Sequence, residues 1–227
     1  MKKVYKLILI ISLLFIGINA SAQYGSPLRF GVKAGLNLNS ASMDIKNVAI
    51  KNLKIGYDVG LTAEYQMSDL FYLQSGAYFT TKGAVLKSEK ASSDIKNWKN
   101  SVNLQYVQVP LLASFKLEMV TDTKLFVNMG PYFAYGIGGK TIVKNDYTDA
   151  DTPSTKDEYN SFDDSYFKKF DFGLMYGAGI EFEKFVYGIQ FEFGLLNIAE
   201  KSNGLNPQIN TKGFKNKGVS FNIGYKF

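Results

Sequence analysis

Carboxylates are the groups in this sequence with which acid–base chemistry could be done, because histidine and cysteine are both absent. The chain therefore lacks the usual general base near neutral pH, the commonest zinc ligand and the most reactive nucleophile. Two carboxyl pairs, Asp163 with Asp164 and Asp149 with Asp151, could in principle act as acid and base. Acids so close together in a polar stretch are more simply explained as a solvated loop. We predict a non-enzymatic protein with no catalytic residue, no cofactor and no metal site.

Residues 140–164, which contain those pairs, have seven acids against three lysines, so weak calcium binding is conceivable there. The spacing matches no EF-hand loop, which requires a central glycine and a terminal glutamate. The whole chain has a formal charge of +6, which is too mild and too dispersed to indicate a nucleic-acid partner.

The first 22 residues are typical of a secretory signal peptide. Lys2, Lys3 and Lys6 precede an apolar stretch at residues 7–18, and small side chains follow at residues 20–22. The alternative is an uncleaved membrane anchor, but a spanning helix needs about 20 apolar residues and this stretch is shorter. We predict cleavage after Ala22, which leaves residues 23–227 as one domain.

Strand-type alternation runs through that domain and is clearest at its end. Val219, Phe221, Ile223, Tyr225 and Phe227 share one face of the last strand, with polar or small residues between them. Eight segments have this pattern: 28–39, 54–67, 71–86, 102–117, 124–138, 169–183, 185–197 and 218–227. Each is long enough to cross a bilayer at a tilt, which takes about 9 to 11 residues. The predicted fold is all-β, an eight-stranded antiparallel up-and-down transmembrane β-barrel.

The connections between these segments alternate in length, which supports the same fold. Long ones at 40–53, 87–101, 139–168 and 198–217 interleave with short ones at 68–70, 118–123 and 184. Short periplasmic turns and long external loops are typical of outer-membrane barrels. We expect both termini on the periplasmic side, and a bulge or local distortion at Pro110, which cannot donate to a ladder.

In each strand, polar or small residues alternate with apolar ones, and we call these positions the polar phase. Their composition indicates whether they face the barrel lumen or bulk water. Fourteen of the 21 glycines fall in the polar phase, and glycine suits the crowded interior of a narrow barrel better than a solvated face. Its charges have both signs, and buried charges require partners. We predict a side-chain-filled lumen without an open pore, with a polar network of Lys33, Asp58, Glu64, Lys82, Lys116, Asp171, Glu181, Glu192 and Lys226; Lys169 falls in the same phase. The alternative is a soluble periplasmic lipocalin-like barrel with an apolar ligand inside.

Aromatic rings cluster toward the strand ends, as expected for membrane interfaces, where a ring has one apolar side and a wet tip. The set comprises Tyr57, Tyr65, Tyr106, Phe115, Tyr135, Phe170, Phe182, Tyr187, Tyr225 and Phe227. Tyr225 and Phe227 are further predicted to be the signal that the barrel-assembly machinery recognises, by pairing with the terminal strand edge.

Short motifs recur along the predicted strands, at residues 30–37, at Tyr78 with Lys82 and Gly83, and at residues 106–112, 130–132, 170–173, 177–181 and 194–198. These segments resemble the PorT-like outer-membrane β-barrel family of Gram-negative Bacteroidota. The resemblance covers nearly all of the mature chain and implies the architecture of the family and residence in the outer membrane. It implies little about activity, since the motifs concern barrel construction. PorT is linked with a secretion system, and a role as an accessory subunit of such a complex stays an alternative.

The predicted partners follow from this placement. Three of the four long connections are basic: Lys46, Lys51 and Lys54; Lys87, Lys90, Lys96 and Lys99; Lys201, Lys212, Lys215 and Lys217. These lysines could contact lipopolysaccharide phosphates or the acidic connection at 139–168, or they could serve only the solubility of the loops. Outer-membrane lipid, the assembly machinery and a protein partner at the external loops complete the set.

Overall fold

The computed structural model describes residues 27–42, 49–89, 95–120, 122–147, 154–162, 167–199 and 213–227. Eleven strands form within them: β1 Leu28–Ser42, β2 Ala49–Asn52, β3 Lys54–Gln66, β4 Phe71–Glu89, β5 Ile95–Val120, β6 Thr123–Gly138, β7 Lys140–Tyr147, β8 Thr155–Asn160, β9 Phe170–Phe182, β10 Phe185–Gly194 and β11 Lys215–Lys226. Within these residues, no helix has the length and apolarity needed to cross a membrane.

Eight of the strands close into an antiparallel barrel. Their order is β4-β3-β1-β11-β10-β9-β6-β5, and β5 pairs again with β4. Following the paired residues around the wall gives the stagger of the strands: Leu28, Tyr65, Leu73, Ala113, Met129, Tyr176, Phe191, Val219 and back to β1 at Leu38. The circuit therefore returns ten residues further along β1. Such a stagger in a closed barrel requires strands tilted by roughly 40°.

The predicted eight-stranded barrel is confirmed, with each predicted segment forming one wall strand. The predicted connection at 87–101 was wrong, since β4 continues to Glu89 and β5 begins at Ile95, and the two pair along this extension. The connections at 40–53 and 139–168 also contain strands, namely β2, β7 and β8. We call the side of the barrel with these additions the long-loop end, and the opposite side the short-turn end.

The extra strands continue one side of the wall beyond the barrel. β6 and β7 pair with β5 one after the other, and β7 keeps the register that β6 has at Gly138. The two are therefore one strand that bends at Gly139, where the φ of 138° favours glycine. β2 pairs with the extension of β4, and β8 pairs with β7. The result is an outer sheet in the order β2-β4-β5-β7-β8 that rises from half of the barrel rim.

The apolar phase of the wall strands faces outward. Phe170 and Phe191 are 50% and 38% exposed, and Phe172 packs against the outward ring of Phe133 at 5.2 Å. The alternating residues Asp171 and Gln190 are buried in the lumen. A soluble barrel with an apolar interior is the reverse arrangement. The lipocalin-like alternative is therefore wrong.

Three sequence-based expectations are corrected in the wall. Tyr106 is not an interfacial ring, because it is fully buried inside the barrel, edge-on to Phe162 at 5.5 Å. Lys169 is exposed just before β9 and lies outside the lumen. The expectation at Pro110 is corrected only in part: the ladder between β4 and β5 skips two neighbouring pairs there, which is a local distortion, but the register does not shift and the bulge on β5 lies at Gln105 and Tyr106.

Candidate functional site: the barrel lumen

Four charged residues form a closed ring near the short-turn end, and we call them the lysine–glutamate ring: Glu64, Lys116, Glu181 and Lys226. Lys116 Nζ donates to Glu64 Oε1 at 2.7 Å and to Glu181 Oε2 at 2.6 Å. Lys226 Nζ donates to the same two oxygens at 2.8 and 2.7 Å. Each carboxylate therefore receives two ammonium groups, which offsets the cost of removing four charges from water.

The stagger of the barrel brings these four residues together. They belong to β3, β5, β9 and β11, which are every second strand of the wall. Side chains from alternate strands reach the same height in a barrel of this kind. Further contacts hold the ring: Gln74 Nε2 donates to Glu64 Oε2 at 2.6 Å, and the Tyr72 ring lies 4.5 Å from Lys116 Nζ.

A second group, around Lys33, occupies the middle of the lumen. Lys33 Nζ donates to Gln190 Oε1 at 3.2 Å, lies 3.9 Å from Asp58 Oδ1 and stands 4.4 Å from the centre of the Tyr78 ring. Asp58 is buried, so its charge is balanced by Lys33 rather than by bulk water. This group links β1, β3, β4 and β10 across the lumen.

A third group, around Lys82, lies closer to the long-loop end. Lys82 Nζ is 2.9 Å from Glu192 Oε2 and 3.6 Å from Asp171 Oδ2, and it stands 3.9 Å from the centre of the Tyr132 ring. Tyr132 Oη donates to Asp171 Oδ2 at 3.1 Å, and Asn216 Nδ2 donates to the same oxygen at 2.9 Å. The fully buried Asp171 thus has one ammonium and two hydrogen-bond donors around it.

An apolar cap, formed by Phe162, Phe167, Ile198 and Phe214, occupies the lumen at the long-loop end. These buried side chains belong to one cluster with Leu86, Val102, Leu104 and Tyr106 on the inner face of the outer sheet and the adjoining wall. Backbone hydrogen bonds join the cap segments: Lys168 N donates to Ile198 O at 2.8 Å and Ile198 N to Phe214 O at 2.9 Å. The cap is a small hydrophobic core that fills the long-loop end of the lumen, next to the polar groups.

A cavity of about 90 Å³ lies between the Lys33 group and the lysine–glutamate ring. Its lining includes Lys33, Gln190, Asn128, Asn222 and Lys226. One water needs roughly 10 to 15 Å³ of such space and two to four polar partners, so the cavity has room for several waters. Side chains therefore occupy most of the lumen, and this cavity, with polar and apolar lining residues, separates two of the charged groups.

All nine residues predicted for the polar network lie in the lumen, in the three groups described. Sequence reasoning missed their neutral partners Gln74, Gln190, Tyr132 and Asn216, although each falls in the same inward phase. It also missed the apolar cap, whose residues lie between strands where no alternation marks them.

The four candidate acids, Asp149, Asp151, Asp163 and Asp164, lie outside the described residues. Among the residues that are described, no group of three or more acids is placed to hold a metal ion. On the outer sheet, Glu158 accepts a hydrogen bond from Lys140 at 2.5 Å, and this bond and the lysine charge hold the pKa of the carboxyl below its usual value.

A closed antiparallel barrel with an apolar outer surface and a polar, ion-paired lumen defines the class of transmembrane β-barrels. The family model described as "Outer membrane protein beta-barrel domain" matches residues 19–200, and the chain belongs to this family. The protein is therefore a component of the cell outer membrane. No curated protein matches the chain.

Three solved structures with a similar fold are remote in sequence. OprG from Pseudomonas aeruginosa is 13% identical with a TM-score of 0.48, covering 89% of this chain and 97% of that one. Neisserial surface protein A is 14% identical with a TM-score of 0.41, covering 87% and 97%. Ail of Yersinia pestis, in complex with the heparin analogue sucrose octasulfate, is 14% identical with a TM-score of 0.38, covering 88% and 99%. The classification rests on the family match and on the chain's own closed sheet.

Proposed function

We propose that this protein is a non-enzymatic outer-membrane barrel with a filled lumen, which acts as a structural or interaction protein through the strands and loops of its long-loop end. The observation that carries the proposal is the obstruction of the lumen at two levels. The lysine–glutamate ring fills it near the short-turn end, and the apolar cap fills it at the other end. An eight-stranded barrel has an interior only about wide enough for side chains, so these groups leave no continuous aqueous channel.

Planar-bilayer recording tests this proposal directly. The folded full-length protein should add no ohmic conductance steps at neutral pH, while a porin inserted under the same conditions provides the positive control. Large ohmic steps from the wild-type protein would overturn the filled lumen. A variant in which the apolar cap is weakened, Phe214→Ala, should stay non-conducting, because the lysine–glutamate ring still blocks the opposite end.

The outer sheet supports an interaction role. It extends beyond the apolar band of the barrel. Along β5 the outward-facing residues change there from apolar, Val109 and Val107, to polar, Gln105, Asn103 and Ser101. In outer-membrane barrels the long connections face outward from the cell and the short turns face the periplasm. The sheet is thus a surface at the outside of the cell whose outward positions on β5 are polar. The partner bound there is a protein or lipopolysaccharide. The chain contains no histidine or cysteine, which supports the proposal that this partner is bound without being chemically converted.

Two processing steps belong to the same proposal. Residues 1–22 serve as a signal peptide cleaved after Ala22, and a mass measurement of the mature protein tests this cleavage.

Tyr225 and Phe227 serve as the assembly signal. Tyr225 packs on Phe185 at 5.3 Å and on Phe227 at 5.9 Å, and Phe227 N donates to Phe30 O at 2.9 Å where the barrel closes. Placement among the PorT-like barrels is also proposed, on the motifs described above.

A further inference from the structure

The lipid-facing surface of β9, β10, β11 and β1 contains an apolar groove. Outward side chains of these strands line it, including Ala34, Leu36, Ala178, Ile189, Phe221 and Ile223. Ala34 and Ala178 are exposed and small, whereas Leu36 and Phe221 beside them are 65% and 52% exposed. The groove is therefore a shallow, open depression in an apolar wall, which is accessible to a hydrocarbon chain.

On β11, the outward-facing positions directly beyond this groove are occupied by lysines. The outward positions run from Phe227 through Ile223, Phe221 and Val219 to Lys217 and Lys215. Ten residues at a tilt of roughly 40° rise about 25 Å, which is the height of the apolar band of an outer-membrane barrel. With Phe227 at the periplasmic interface, Lys217 lies at the level of the outer headgroups.

The geometry around Lys217 agrees with that level. Lys217 Nζ lies 6.0 Å from the centre of the Phe193 ring, as when a lysine stem lies along apolar surface with its ammonium group at the interface. Lys168 belongs to the same part of the rim, because backbone hydrogen bonds join it through Ile198 to Phe214, the residue before Lys215. Lys168, Lys215 and Lys217 are exposed and form no ion pair with any described residue.

We propose that this surface binds one phosphorylated glycolipid of the outer leaflet, with an acyl chain in the apolar groove and a headgroup phosphate at Lys215 and Lys217. Phe221 in the groove is four residues, about 13 Å along the strand, from Lys217, so one lipid molecule can reach both. The positive charge complements the phosphate, and the groove accepts the chain. The inference rests on the outer-membrane placement but not on the filled lumen.

Binding of bisphosphorylated hexa-acyl lipid A to the folded full-length protein in detergent micelles, followed by native mass spectrometry, tests the site. The variant Lys215→Gln/Lys217→Gln should weaken binding about 25-fold, since each lysine near an anionic surface contributes about fivefold. The matched control Lys124→Gln/Lys184→Gln removes the same charge from the short-turn end and should leave binding unchanged. Lipid A without its phosphates should bind the wild-type protein as weakly as lipid A binds the first variant.

The groove has its own matched pair of variants. Ala178→Phe fills the depression and should weaken binding several-fold, whereas Ala113→Phe, at an exposed position on β5, should not. Equal losses from the two lysine pairs would show attraction by overall charge and overturn the site. Binding that Ala178→Phe leaves unchanged would also overturn it. Heat-modifiable migration confirms that each variant is folded, and wild-type bilayer recordings test the filled lumen separately from this site.

Discussion

Lys116 and Glu181 meet across the lumen with Nζ and Oε2 only 2.6 Å apart, although β6 separates their strands on the wall. Lys116 is only 2% exposed, and its ammonium group also contacts Glu64 at 2.7 Å and lies 4.5 Å from the centre of the Tyr72 ring. The lysine–glutamate ring thereby ties four wall strands together from the inside.

The losses of stability caused by removing two adjacent members of the ring should not add. Lys116→Met leaves two carboxylates with one ammonium and should lower the free energy of unfolding by about 3 kcal/mol. Lys116→Met/Glu181→Gln retains the Lys226–Glu64 pair, so its loss should be smaller than the sum of the single losses. Urea titrations followed by heat-modifiable gel migration measure the two single variants, Lys116→Met and Glu181→Gln, and the double variant. Additive losses would show that the four residues do not act as a ring.

The hydroxyl of Tyr132 should stabilise the barrel through Asp171. Tyr132→Phe removes the 3.1 Å hydrogen bond while the ring stays beside Lys82, and should cost about 1 to 3 kcal/mol because Asp171 is fully buried. Tyr187→Phe, on the lipid-facing surface, is the matched control and should change stability little. The same urea titration compares them, and equal effects would contradict the proposed contribution of this hydrogen bond.

Gly179 and Gly188 face each other on β9 and β10 but should respond differently to alanine. A Cβ at Gly179 would lie 2.1 Å from Tyr187 O and 2.5 Å from the Phe126 ring, whereas at Gly188 the nearest atoms are 3.4 Å away. Gly179→Ala should therefore reduce the amount of assembled barrel severalfold, and Gly188→Ala should be tolerated. The folded fraction on a semi-native gel measures both. Similar behaviour of the two variants would contradict the described packing of Phe126.

Deletion of Phe227 should lower the amount of barrel assembled in cells. The deletion removes the backbone hydrogen bond to Phe30 and the outermost ring beside Tyr225. Phe227→Tyr keeps both features and serves as the control. Immunoblots of outer-membrane fractions give the measurement, and normal levels of the truncated protein would exclude an assembly role for this residue.

The wall was predictable from sequence because lipid and lumen impose opposite chemistry on alternate residues. Phe170, Asp171 and Phe172 show this within three positions. Beyond the membrane the constraint ends, which is why β2, β7, β8 and the extensions of β4 and β5 were missed. The signs of the charges in the inward phase were visible, but the pairing of Lys116 with both Glu64 and Glu181 depends on a ten-residue stagger that local patterns do not contain.

The apolar cap illustrates the same limit. Phe162 and Phe214 lie in separate connections, and only the closed barrel brings both to one cluster. Contacts of such long sequence separation leave no periodic signal.

Spin-label accessibility along β11 tests the central claim most directly, and the absence of native cysteine makes single-cysteine variants straightforward. Labels at Val219, Phe221 and Ile223 in lipid bilayers should be readily relaxed by oxygen and poorly by a water-soluble nickel complex. Labels at Ser220 and Asn222 should show low oxygen accessibility, giving a period of two. High oxygen accessibility at Ser220 and Asn222, with protection at Phe221, would contradict the account.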